Sequence, residues 1–203
     1  DLRELVCLQG GEMLRLAGLA ATTVSPTMLT LAAPPGTGLG RNIHVHRNTL
    51  VSNGNVTLDY DAPLVLNVAP QPFSGGATVT ISGLNFGAEG ASVSIGGVPC
   101  TNITHTVPHT AITVTVPDGA GETVPVVVTQ TNQASNAYTA GYDRPSALSV
   151  GPAVGPRAGG QIVTITGQNF GTTASSGRMV TIGGHPATIV DWNPAAITVE
   201  TPA

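Results

Sequence analysis

The 203-residue chain holds seven arginines, no lysine and eleven acidic residues, for a net charge of −4. Only 9% of it is charged, against about 25% in typical globular domains. This excludes the basic footprint that nucleic-acid binding needs and leaves few groups for acid–base catalysis, while no apolar run approaches the roughly 18 residues of a membrane-spanning helix.

The chain opens Asp1-Leu2-Arg3, without methionine, and Gly10-Gly11, Glu4, Glu12 and Arg15 interrupt its first apolar residues. This predicts a mature product or a fragment with no signal peptide remaining. Leucine and glutamate are frequent over 1–20, but the glycine pair and the internal repeats described below predict strand there. Gly36-Thr37-Gly38-Leu39-Gly40 lacks the lysine and helix of a phosphate loop and predicts a hairpin turn. His44-Val45-His46 puts two imidazoles on one strand face, an arrangement open to a metal; with no carboxylate or thiolate nearby, a solvated face is favoured. Asp59 and Asp61 share a strand face at a domain junction, which favours a solvated or capping role over a glycosidase pair.

From residue 78 the alternation becomes strict. Val79 and Ile81 alternate with Thr78, Thr80 and Ser82; Val93 and Ile95 with Ser92 and Ser94; Ile112, Val114 and Val116 with Thr113 and Thr115. Val124, Val126 and Val128 make a further strand, and a last one is expected over about 136–142. Period two in β-branched residues, broken by Gly, Pro and Asn, signals half-buried antiparallel strands. About seven short strands in about 80 residues predict a two-sheet sandwich.

The pattern then recurs. Gly75-Gly76 and Asn85-Phe86-Gly87 return 84 residues later as Gly159-Gly160 and Asn169-Phe170-Gly171. Ile95-Gly96-Gly97 returns as Ile182-Gly183-Gly184, and Ile112-Thr113-Val114 as Ile197-Thr198-Val199. An earlier copy is marked by Gly10-Gly11, Leu29-Thr30-Leu31, Ser52-Asn53 and Tyr60-Asp61-Ala62-Pro63. The expected units are residues 1–63, a shortened repeat; 64–145, complete; and 146–203, without counterparts of 121–145. Phe86 and Phe170 are expected between the sheets, and Tyr60 and Tyr142 at the end of each last strand.

Pro-x-x-Gly-Gly, a strand ending Gly-x-Asn-Phe-Gly, Val-x-Ile-Gly-Gly-x-x-Cys, Ile-Thr-Val-x-x-Pro, Asn-Gln-x-Ser-Asn and a closing Tyr-x-x-Pro together resemble the IPT/TIG domain. This is the immunoglobulin-like module of plexins and the hepatocyte growth factor receptor, found also in bacterial surface proteins, amylase-type enzymes and Rel-type transcription factors. The resemblance implies an all-β fold of tandem immunoglobulin-like sandwiches. Many relatives pair the cysteine equivalent to Cys100 with one on the strand here read as 112–116, which has none. A bridge between Cys7 and Cys100 and two buried thiols stay as alternatives.

The remaining candidates are few. Trp192, in an expected loop, could stack on a sugar or be partly buried. His105, His109 and His185 fall in expected loops without ligand spacing. Asn55-Val56-Thr57 and Asn102-Ile103-Thr104 are N-glycosylation sequons, with Asn102, in an expected loop, the more accessible. No catalytic, cofactor or metal site is expected. The expectation is a non-enzymatic extracellular protein that carries glycans and self-associates into a filament or stalk. A plexin-like receptor ectodomain or an adhesin is the alternative. In the third repeat, Ile165, Ile182 and Ile197 are expected to form an open apolar face that is completed either by another chain or by residues beyond Ala203.

Overall fold

A computed structural model describes residues 5–6, 15–16, 19–24, 28–47, 49–173 and 177–203. Among these, regular structure is all strand, and no helix is long and apolar enough to cross a membrane.

The middle repeat is a sandwich of two sheets. One sheet runs in the order Thr101–Val107, Ala111–Thr115, Thr78–Leu84, Leu64–Ala69. The other runs Val98–Pro99, Ser92–Ile95, Val124–Gln130, Gln133–Ala134, with Tyr138–Ala140 also on Val124–Gln130. The alternating valines and isoleucines of both sheets face each other. Val79, Ile81, Phe86, Val93, Ile95, Val114, Val126 and Tyr142 all lie in one buried core. The threonines between them face out, as period two requires.

The third repeat carries the same first sheet, Thr188–Trp192, Ala196–Glu200, Ile162–Gln168, Ser146–Gly151. Opposite it stands the hairpin Thr181–Ile182 with His185–Pro186. Its core is smaller: Val163, Phe170, Trp192, Ile197 and Val199. The expected open face is therefore only partly present. Ile197 is buried, Ile165 is half-buried against that core, and only Ile182 is exposed. Ile197 is the cross-strand neighbour of Trp192, and both are buried in that core.

Residues 41–58, in the expected first repeat, pair in the manner of the back half of the middle one. Arg41–Ile43 pairs with Val56–Leu58, and Val45–Arg47 with Leu50–Val51, just as Val124–Gln130 pairs with Tyr138–Ala140 and Gln133–Ala134. The likeness reaches single bonds. The Val45 amide donates to Ser52 Oγ at 2.9 Å, and the Val128 amide to Ser135 Oγ at 3.0 Å. Within 1–24, the described pieces Leu5–Val6, Arg15–Leu16 and Leu19–Val24 are strands.

Candidate functional site

Three devices order the sandwiches, and the first two recur along the chain. The first is the Asn-Phe-Gly corner. Asn85 and Gly87 take positive φ, 62° and 76°, and Asn169 and Gly171 take 59° and 74°, a region open to Asn and Gly. Phe86 is fully buried there. Gly83 serves by leaving space, not by turning the chain. Its φ is ordinary, but a Cβ would collide with the Leu64 carbonyl oxygen and stand 2.5 Å from the Phe86 ring. Gly167 stands likewise against Ser146 and Phe170.

The second device is the closing tyrosine. Tyr142 Oη donates to the Pro117 carbonyl at 2.9 Å, and its amide to the Gly121 carbonyl at 2.8 Å. Tyr60 repeats both bonds, to Pro34 at 2.8 Å and Gly38 at 3.0 Å. Gly36 and Gly119 leave room for the rings. Residues 36–40 are thus not a hairpin turn. They form an arch from Leu29–Leu31, in one sheet, to Arg41–Ile43, in another, and the arch seats Tyr60. Phe73 meets the Tyr142 ring edge-on, centroids 5.0 Å apart at 81°.

The third device was not foreseen. Asn136 bonds both backbone groups of Val65: its Oδ1 accepts the amide at 2.8 Å and its Nδ2 donates to the carbonyl at 3.1 Å. This stitches the two sheets along one side. The repeated Ser-Asn pair, at 52–53 and 135–136, was its only trace in the sequence.

The sequence profile of the IPT/TIG domain matches residues 63–142 and 145–203, more than half of the chain. The chain belongs to the IPT/TIG domain family. Mouse Plexin-A2 is 34% identical over 128 residues, which is 55% of this chain and 6% of that protein. The chain therefore spans a small fraction of this relative's length. Among solved structures, the extracellular region of Plexin A4 is 22% identical with a TM-score of 0.36, over 78% of this chain and 18% of that one. A surface glycan-binding protein from Prevotella bryantii is 17% identical with a TM-score of 0.44, over 71% of this chain and 37% of that one.

On this IPT/TIG frame the other candidates fall into place as structure. Cys100 is a buried free thiol, pushed up by desolvation from its ordinary 9.0 to about 11; Cys7 lies outside the described residues. His44 falls at the break between strands Arg41–Ile43 and Val45–Arg47, and its ring lies over Gly54. The His46 side chain lies outside the described residues. Among the described residues no group of three His, Cys, Asp or Glu could hold a metal. Asp59 Oδ1 accepts the Gly40 amide at 2.6 Å, a capping role, and Asp61 is exposed.

Trp192 lies at the end of strand Thr188–Trp192, not in a loop, and only 9% of it is exposed. Its Nε1 donates to the Phe170 and Gly171 carbonyls at 3.1 and 3.2 Å, and Arg178 stands 5.7 Å from the ring centre. A ring so enclosed cannot present a stacking platform. His105 is its counterpart. It lies in strand Thr101–Val107, also against the expected loop, with Nδ1 3.2 Å from the Gly87 carbonyl. His185 likewise sits in the short strand His185–Pro186, while His109 is in a turn.

Asn102 also lies within a strand, not in a loop between strands. It sits at a register shift with φ 50°, exposed, and its Nδ2 donates to Thr115 Oγ1 at 3.1 Å. Asn55 is exposed just before Val56–Leu58.

Proposed function

We propose that this chain is a non-enzymatic stretch of an extracellular protein, a plexin-like receptor ectodomain or adhesin, in which IPT/TIG sandwiches hold and space a recognition surface. The 34% identity to mouse Plexin-A2 across 128 residues carries this reading. The conspicuous side chains of the chain agree with it. Its buried thiol, its tyrosines and its tryptophan are engaged in packing and in bonds to backbone, as a scaffold requires.

The test is surface display. An antibody raised against this chain should label intact cells of the source organism before permeabilisation. Label that emerges only after permeabilisation overturns the extracellular assignment.

A stalk or filament is the second reading, favoured by the bonded joint between the first two repeats. Thr37 Oγ1 lies 3.0 Å from Thr131 Oγ1, Gln133 Nε2 donates to the Tyr60 carbonyl at 3.0 Å, and Asn85 Nδ2 to the Ala62 carbonyl at 3.1 Å. A joint fixed by side chains from both repeats resists bending more than a bare linker does. Beads coated with the chain separate the two readings: clustering supports self-association, and dispersed beads leave the receptor or adhesin reading.

A further inference from the structure

We propose that Asn102, within one charge-free edge strand, and Asn55, at the start of another, carry N-linked oligosaccharides that guard those edges. The proposal rests on the extracellular reading above, since it requires the secretory pathway.

An edge strand offers unpaired N–H and C=O groups to any other strand, and proteins commonly protect such edges with lysine or other charges. This chain has no lysine. Thr101–Val107 is the outer strand of its sheet and contains no Asp, Glu or Arg. Its histidine is not presented to solvent as a charge guard either, because His105 is half-buried and turned to the Gly87 carbonyl. Val56–Leu58 pairs with Arg41–Ile43 alone among the described strands and is also uncharged. The Asp59 that follows it is taken up by the Gly40 amide. Each of these two edges bears a sequon.

Three of the other edges are managed differently. Leu64–Ala69 is closed by Asn136. Thr188–Trp192 carries the exposed Asp191. Ser146–Gly151 is bracketed by Pro145 and Pro152 and has a register shift of its own.

The geometry suits a glycan. Asn102 and Thr104 are both exposed, as are Asn55 and Thr57. In the transfer, Asn Nδ2 bonds to the anomeric carbon of an oligosaccharide carried on a polyprenyl diphosphate. The bond from that carbon to the diphosphate oxygen breaks, the polyprenyl diphosphate leaves, and Nδ2 loses one proton to the transferase's base. Nδ2 keeps its other hydrogen and remains a donor of one hydrogen bond. A branched sugar at that register shift stands beside the open edge and bars an incoming strand.

The test uses the 203-residue chain secreted from eukaryotic cells behind a cleavable signal peptide. Cleavage before aspartate separates the two sequons, because Asp59 and Asp61 lie between them. Enzymatic deglycosylation in heavy-oxygen water then marks each occupied asparagine by mass. Both sites should be labelled. Asn102→Gln and Thr104→Val should each erase the label at 102 alone, whereas Thr104→Ser should keep it. Sedimentation of the folded, glycosylated protein before and after trimming by an endoglycosidase, which leaves one sugar on each uncharged asparagine, tests the guarding role without a change of residue, and the monomer share should fall once the branched sugars are gone. Secreted, folded protein with Asn102 and Asn55 unmodified overturns the proposal. So does an occupied protein that stays monomeric and soluble after the endoglycosidase has trimmed its sugars. Neither result depends on the cell-surface labelling that tests the extracellular reading, so the two can fail separately.

Discussion

Tyr142 donates its phenolic O–H to the carbonyl of Pro117 at 2.9 Å. One repeat earlier Tyr60 makes the same bond to Pro34 at 2.8 Å. Each bond ties the end of a repeat to the loop that leaves its first sheet. Removing a partner leaves a buried acceptor unsatisfied, which costs about 1–3 kcal/mol. Tyr142→Phe should lose stability in that range, and Tyr60→Phe, at a half-buried ring, should fall at its lower end. Urea unfolding of each variant beside the parent checks both.

Alkaline pH should unfold the middle repeat before backbone chemistry intervenes. Burial, followed by the charges of Cys100 and Asp118, pushes the Tyr142 phenol up from 10.0 to about 12. Burial alone pushes the Cys100 thiol up from 9.0 to about 11. Both groups are neutral when protonated, and both folded values lie above the unfolded ones. Their contribution is therefore complete below about pH 9 and is lost as pH rises towards 12. Denaturant midpoints measured from pH 8 to 12 should fall across that window, and less steeply in Cys100→Ala.

The same burial makes Cys100 unreactive. A thiolate is needed for attack on thiol reagents, and desolvation suppresses it. Native protein should label at Cys100 far more slowly than urea-unfolded protein. Equal rates would place the thiol at the surface.

Gly83→Ala and Gly167→Ala should each destabilise by about 1–3 kcal/mol or more, the usual cost of overpacking. The added methyl meets a carbonyl oxygen and the corner phenylalanine together, and neither can yield without opening the corner. Phe86→Ala removes the ring itself and should cost about 3–5 kcal/mol. Thermal melts of the three variants give the comparison.

Trp192 is the sole tryptophan and sits in the third repeat's core. Its emission should be blue-shifted and poorly quenched by iodide in the native protein. It should report the unfolding of that repeat, whose core is separate from that of the middle one. Asn136→Ala, by contrast, should lower amide protection at Val65 and leave the tryptophan signal unchanged.

The sequence by itself determined the all-β class and the membership of the middle core. Each of these rests on local periodicity. A strand that buries every second residue must write that rule into its own residues, so Val79, Ile81, Val93, Ile95, Val114 and Val126 were all legible. The corner was legible too, because only Asn and Gly take its dihedral angles easily. Tertiary structure alone decided the rest. Asn102, His105 and Trp192 read as loop residues, since polar or bulky residues near Asn and Pro interrupt the alternation, yet all three lie in strands whose outer neighbour is solvent. Trp192 is enclosed because the Phe170 and Gly171 carbonyls, some twenty residues away in sequence, accept its indole N–H. Asn136 reaches across to Val65, 71 residues distant, and Gly83 is needed for a carbonyl that approaches from another strand. Such contacts join residues that no local pattern links, so they exist only once the sheets have met.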